Sequence, residues 1–118
     1  MVVPEVKSLM SHDLGRPRLP DDPQHCSIFC EATTGLKDSQ GEEIFGFQVV
    51  TPSALTPGDR FQWGRGLLIV ASFSWEIVDL ALARLLSHAS RDSWDEVARE
   101  LAKNLNWEFE NYREAEKI

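Results

Sequence analysis

Short stretches of alternating apolar and polar residues in the first half of the chain predict β-strands. Residues 26–33 alternate in this way, and so do residues 45–50. The polar stretch 37–41 between them has the length of a hairpin connection, so we expect the two strands to pair. Residues 2–10 carry scattered apolar side chains and predict an edge strand, because Pro4 is tolerated only at a sheet edge or at the start of a strand.

The pattern changes after residue 66. Residues 67–71 are apolar on both faces and predict a central strand that is at least partly covered on each side. Ser74 is a good N-cap for a helix that follows directly. The apolar stripe of this helix consists of Trp75, Val78, Leu82, Leu85, Leu86 and Ala89.

A second helix and a last strand complete the pattern. Ser93 and Glu96 form a capping box at the start of the helix. Its apolar stripe consists of Trp94, Val97, Ala98, Leu101 and Leu105. Residues 107–110 alternate with period two and predict a short final strand, and a helical continuation through Tyr112 is the alternative.

Strands first and helices later predict an α+β fold, with an antiparallel β-sheet and two C-terminal helices packed on one face. The 118 residues make one domain, 1–118, that can bury a core without disulfides or metal. Residues 12–25 contain three prolines and predict a surface loop. We expect Trp94 and Trp107 to lie in the core, because each opens or joins an apolar stripe.

The charge of the chain excludes some partners. The formal net charge is −7 and the sequence pI is about 4.9. This argues against binding to nucleic acid or to an anionic membrane, both of which need clustered Lys and Arg. It is compatible with a basic protein partner, although acidity also serves plain solubility. No apolar run approaches the ~18 residues of a membrane span, and the N-terminus lacks the pattern of a signal peptide, so we expect a cytoplasmic protein.

The candidate chemistry of the sequence is sparse. Cys26 and Cys30 lie too far apart along one strand to form a disulfide, and we expect reduced thiols rather than a zinc site with His25. The three histidines belong to no catalytic signature. Glu108 and Glu110 resemble paired catalytic carboxylates, but a solvated strand face explains their alternation better. We therefore expect no catalytic residue, no metal and no cofactor.

Two strings resemble a known family. One is FGFQVVTP at residues 45–52, followed by Leu55, and the other is SWDEVA at residues 93–98, followed by Leu101 and by WEFENY at residues 107–112. Together with an apolar strand between them they resemble the immunity protein 8 family of bacterial polymorphic toxin systems. The resemblance covers roughly residues 42–113, and nothing before Cys26 contributes to it.

The resemblance implies a cytoplasmic antitoxin that binds a cognate toxin domain, such as one delivered by contact-dependent inhibition. It also implies that the motif residues are structural, and that variable loops choose the toxin. The acidity of the chain fits a basic toxin, for example a nuclease. A small acidic regulatory or adaptor module is the alternative, followed by a small enzyme with a dispersed site. Self-association is left open.

We expect partner-binding residues in three places: the acidic C-terminal third, the hairpin connection with its flanking acids, and an aromatic loop. The candidates are Glu108, Glu110, Glu114, Asp38, Glu42, Glu43, Phe61 and Trp63.

Overall fold

A computed structural model describes residues 1–37, 41–55 and 63–108. These residues form five strands, two α-helices and one turn of 3₁₀-helix. In chain order they are β1 (Pro4–Met10), β2 (Ser27–Leu36), β3 (Glu42–Val50), the 3₁₀ turn (Pro52–Ala54), β4 (Leu67–Ile69), α1 (Trp75–Ser87), α2 (Trp94–Leu101) and β5 (Asn106–Trp107). None of the helices in these ranges is long and apolar enough to cross a membrane.

The predicted hairpin is the centre of the sheet. β2 and β3 pair antiparallel from Ser27 opposite Val50 to Gly35 opposite Glu42. β1 adds antiparallel to the other side of β2, with one irregularity between Val6 and Ser8, and forms an edge as expected. The alternating sequence pattern of β2 and β3 thus places one apolar face of the sheet toward the helices.

The sheet is mixed, so the expectation of a purely antiparallel sheet is wrong. β4 runs parallel to β3, with Gln48 opposite Leu67 and Val50 opposite Ile69. A parallel neighbour needs a crossover of a dozen or more residues, and the segment between Val50 and Leu67 provides that length. The α+β class itself is confirmed.

β4 is also not central. It pairs with β3 alone within the described chain, and β5 takes the remaining part of the same side of β3. Ile69 is 56% exposed. Residues 67–71 are apolar on both faces because one face joins the core and the other borders a groove, rather than because two layers cover the strand.

Both helices pack on the same face of the sheet. Phe45, Phe47 and Val49 of β3 share one buried cluster with the inward residues of the helices, which are Val78, Leu82, Leu86, Val97, Ala98 and Leu101. Each helix begins where the sequence predicts. The side chain of Ser74 accepts the backbone N–H of Ile77 at 3.1 Å, and that of Ser93 accepts the backbone N–H of Glu96 at 3.2 Å.

The two tryptophans lie at different depths. Trp107 is 6% exposed and belongs to the core, as expected. Trp94 is half-buried and packs against the edge of that core, so it is less enclosed than its place on the α2 stripe indicates. The final strand ends at Trp107. Residue 109 and those beyond it lie outside the described ranges, and so does the choice between strand and helix there.

The segment between β1 and β2 is fastened to the start of α1. The indole N–H of Trp75 donates to the carbonyl oxygen of Arg18 at 2.7 Å, and the backbone N–H of Phe73 donates to that of Pro23 at 2.8 Å. The guanidinium of Arg16 lies 5.5 Å from the centre of the Trp75 ring and pairs with Asp79 at 2.7 Å. Arg16 and Asp79 thus join this segment to the outer side of α1.

Candidate partner-binding surface

The hairpin acids and the last strand meet at one end of the sheet. β5 pairs antiparallel with β3, with Trp107 opposite Phe45, and the two rings stack with centroids 6.2 Å apart. Glu43 lies two residues before Phe45 on the same face. Its carboxylate accepts the indole N–H of Trp107 at 3.1 Å. The fold therefore brings Glu43 and the Trp107–Glu108 segment together, although they are 64 positions apart in the sequence.

The three described acids at this end have different environments. Glu43 is half-buried, and its hydrogen bond to Trp107 fixes the side chain. This is a structural role, whereas the sequence predicts a partner-binding one. Glu42 and Glu108 are exposed, and no ion pair or hydrogen bond of their side chains occurs within the described residues. Glu43 is thus held by Trp107, whereas Glu42 and Glu108 point their carboxylates into solvent.

Further charges extend the acidic end across the sheet. Glu42 lies opposite Gly35, and Gly35 lies opposite Glu5 on the other side of β2. Glu5 pairs with Lys7 at 2.9 Å, and Lys37 is exposed directly after β2. Four carboxylates thus stand against two lysines. We call this region, made of Glu5, Glu42, Glu43 and Glu108, the acidic end.

The acids of α2 are arranged differently. Asp95 pairs with Arg99 at 2.8 Å, one helical turn away. Glu100 pairs with Lys103 at 2.8 Å and with Arg91 at 3.2 Å. The hydrogen bond from Lys103 and the charge of Arg91 lower the pKa of Glu100. Much of the acidity of α2 is therefore neutralised locally, and α2 is a weaker candidate for recognising a basic partner than the acidic end.

Trp63 is the most exposed aromatic residue of the described chain, at 90%. It precedes a turn in which the backbone N–H of Leu67 donates to the carbonyl oxygen of Gly64 at 3.2 Å. Gly66 has a φ of 79°, and a Cβ there would clash with the side chain of Asn106, so this turn needs glycine.

A shallow pocket of about 350 Å³ lies on the sheet face opposite the helices. Phe29, Gln48, Leu67 and Asn106 contribute to its lining, and Phe29 packs directly over Gly46. The same lining includes Arg65, two residues after Trp63. Trp63 therefore lies two positions along the chain from a residue that lines this pocket.

Four of the eight predicted partner-binding residues lie outside the part of the chain that the structure describes. These are Asp38, Phe61, Glu110 and Glu114. Of the remaining four, Glu42, Glu43 and Glu108 come together at the acidic end. Trp63 precedes β4, which pairs with the opposite end of β3, so it belongs to a second region. Sequence reasoning missed Glu5, because its position opposite Gly35 depends on the register of β1.

The cysteines and two of the histidines are candidate chemical groups in the sequence, and the structure shows their contacts. Cys26 and Cys30 are free, and burial raises the pKa of the Cys30 thiol to about 11. The Nδ1 atom of His25 lies 2.8 Å from the hydroxyl of Ser53, and His12 lies 3.0 Å from Glu31. Across residues 1–37, 41–55 and 63–108, no group of three or more His, Cys, Asp and Glu side chains is placed to hold a metal ion.

Together the fold and these surfaces define a small α+β domain that carries an acidic end and an exposed aromatic turn. The family of immunity protein 8 matches residues 5–112, so the chain belongs to that family. The match begins well before Cys26, so residues 5–25, which carry no resemblance in the sequence alone, are part of the family domain. No curated protein and no solved structure matches the chain.

Proposed function

We propose that this protein neutralises a cognate toxin domain by forming a one-to-one complex with it, without turnover. Membership of the immunity protein 8 family carries the proposal. The protein acts as an antitoxin in the cytoplasm of the cell that makes the toxin. The toxin belongs to a polymorphic or contact-dependent inhibition system, and neither nucleic acid nor a membrane is a partner.

The acidic end is the main toxin-binding surface in this proposal. Glu42 lies in β3 and Glu108 directly follows β5, and both are exposed. The positions of β3 and β5 are fixed by the Trp107–Glu43 hydrogen bond and the Phe45–Trp107 stack. Carboxylates held on a rigid backbone suit recognition of Lys and Arg at low entropic cost. This arrangement favours a toxin with a basic surface, such as a nuclease.

Trp63 is the second contact in this proposal. A tryptophan that is 90% exposed leaves a large apolar surface in water, and such residues are enriched among the strongest contributors to binding. Arg65, two residues further along the chain, lines the pocket together with Phe29, and this pocket offers a place for a side chain of the partner. The predicted residues that lie outside the described ranges, Asp38, Phe61, Glu110 and Glu114, remain proposed contacts.

The stoichiometry is tested by titrating the toxin domain encoded beside this chain with the purified protein and measuring residual toxin activity. We expect activity to fall linearly and to end at one equivalent. Complete protection far below one equivalent would show turnover and contradict the binding mechanism.

The interface is tested by the double variant Glu42→Lys with Glu108→Lys, studied by binding kinetics at two salt concentrations. We expect the association rate to fall about tenfold or more, and its salt dependence to weaken or reverse, because exposed charges act mainly on encounter. Asp13→Lys with Asp21→Lys is the matched control. It makes the same charge change in the segment at the other end of β2. Equal kinetics for the two double variants would exclude the acidic end.

A further inference from the structure

The outward side of α1 is unusually apolar. Its inward side buries Trp75, Val78, Leu82 and Leu86, as an amphipathic helix should. On the outward side, however, Ile77 and Leu80 are 45% and 47% exposed. A groove of about 510 Å³ runs beside them, between α1 and β4, and exposed Ile69 forms part of its other wall.

Two opposite charges frame this apolar stripe. Glu76 lies in the first turn of α1 and Arg84 in its last turn, and both are exposed. Leu80 is four residues from each, so the three side chains follow one line along the helix. No ion pair of Glu76 or Arg84 occurs within the described residues. The helix dipole favours an acid at the start and a base at the end, but it does not account for the leucine and isoleucine between them.

We propose that this surface, the α1–β4 surface of Glu76, Ile77, Leu80, Arg84 and Ile69, binds a second copy of this chain. The two α1 helices lie antiparallel about a two-fold axis at Leu80. Such an axis places each residue opposite the one equally far on the other side of Leu80. Glu76 then faces Arg84 of the second copy, Arg84 faces its Glu76, and the two Leu80 side chains meet on the axis.

This pattern is what a closed two-fold interface requires, since the same patch must complement itself. Ile77 falls opposite residue 83 of the second copy, which is an exposed alanine, and a small residue there lets the helices approach closely. A toxin would need only a complementary surface of its own, whereas here the complement is present within one stripe. Charge self-complementarity therefore favours a second copy as the occupant.

The α1–β4 surface is separate from the acidic end. β4 pairs with residues 48–50 of β3, at the opposite end of that strand from Glu42 and Glu43. Dimer formation leaves the acidic end open, and the inference does not depend on the proposed toxin binding.

Self-association is measured by sedimentation velocity of the full chain over a wide concentration range, together with variants of the stripe. We expect reversible dimerisation in the wild type. Leu80→Asp should raise the dissociation constant more than a hundredfold, because it places two carboxylates on the axis. Glu76→Arg and Arg84→Glu should each raise it about tenfold, because each turns two attractive contacts into two repulsive ones.

The decisive test is whether reversing both charges restores dimerisation. The double variant Glu76→Arg with Arg84→Glu should regain a dissociation constant close to that of the wild type. An equimolar mixture of the two single variants should form a mixed dimer in preference to either homodimer. Glu96→Arg is the control, since it makes the same charge change in the first turn of α2 and should leave association unchanged.

Three outcomes would overturn the inference. One is a wild type that stays monomeric at millimolar concentration. Another is a double variant that associates no better than the single variants. Glu76 and Arg84 would then interact with the helix dipole alone and not with a second copy. The last is a monomeric wild type together with a Leu80→Asp variant that loses toxin binding while its circular dichroism spectrum shows that it is folded. The toxin would then be the occupant of the α1–β4 surface.

Discussion

The tryptophan that opens α2 and the tryptophan that closes β5 are held in different ways. Trp107 is enclosed between β3 and the helices, stacks on Phe45 and donates its indole N–H to Glu43. Trp94 begins a helix of eight residues and lies half-buried at the edge of the core. A side chain on a pairing strand is fixed by neighbours far away in sequence, whereas a side chain on the first turn of a short helix has solvent on one side.

The largest effect should follow replacement of Trp107. Trp107→Ala leaves a cavity beside Phe45, and we expect a loss of about 3–5 kcal/mol in the free energy of unfolding. Because small domains have only about 5–15 kcal/mol in total, the variant should melt at a much lower temperature or fail to accumulate in soluble form.

Trp94→Ala is the matched comparison for Trp107. We expect a loss of about 1–2 kcal/mol in chemical denaturation, because only part of the ring leaves apolar surroundings. Equal losses for the two variants would show that Trp94 is as important to the core as Trp107. A Trp94→Ala variant that melts like the wild type but loses toxin binding would make Trp94 an interface residue.

Glu43 tests how Trp107 is held, with a smaller expected effect than removal of the Trp107 ring. Glu43→Leu removes the charge-assisted acceptor of the Trp107 indole, and we expect a loss of about 1.5–3 kcal/mol in the free energy of unfolding. Glu43→Gln keeps an acceptor oxygen and should lose about half of this or less. If the two variants were equally stable, the 3.1 Å hydrogen bond would contribute nothing.

These differences show which parts of the structure can be predicted from the sequence. The alternation of β2 and β3 and the serine caps of both helices are local signals, and each appears in the structure where the pattern places it. The neighbours of β3 are not local. β4 pairs parallel with one part of β3, and β5 pairs with another part of the same side. Which distant segments pair with that side cannot be predicted from the periodicity of the sequence.

The candidate site could be predicted from the sequence to the same extent. Residue type and turn position were enough to single out Glu42, Glu108 and Trp63. Register and tertiary pairing were needed to show that Glu42 and Glu108 share one end while Trp63 does not. The structural role of Glu43 was also hidden, because a hydrogen bond that spans 64 positions leaves no pattern in a single sequence.

Ser93 offers a smaller test of how α2 is held. Ser93→Ala removes the acceptor for the Glu96 backbone N–H, and we expect a loss of about 1 kcal/mol in the free energy of unfolding. Ser93→Asp retains an acceptor and should stay close to the wild type. A Ser93→Ala variant of unchanged stability would show that tertiary packing alone holds the first turn.

The smallest expected effect concerns Glu100 and has a defined direction with pH. The hydrogen bond from Lys103 and the charge of Arg91 lower its pKa below the ordinary value of 4.5. A lowered pKa in the folded state stabilises the protein above pH 4.5, and this contribution is lost as the pH falls through the folded-state pKa. Arg91 also links this helix to the N-terminal segment, since its backbone pairs with that of Val2. Glu100→Gln should therefore melt slightly below the wild type at pH 7 and match it once the pH lies below the folded-state pKa of Glu100. A constant difference between the two proteins across this range would show that the ion pairs of Glu100 do not contribute, because a loss of packing does not vary with pH.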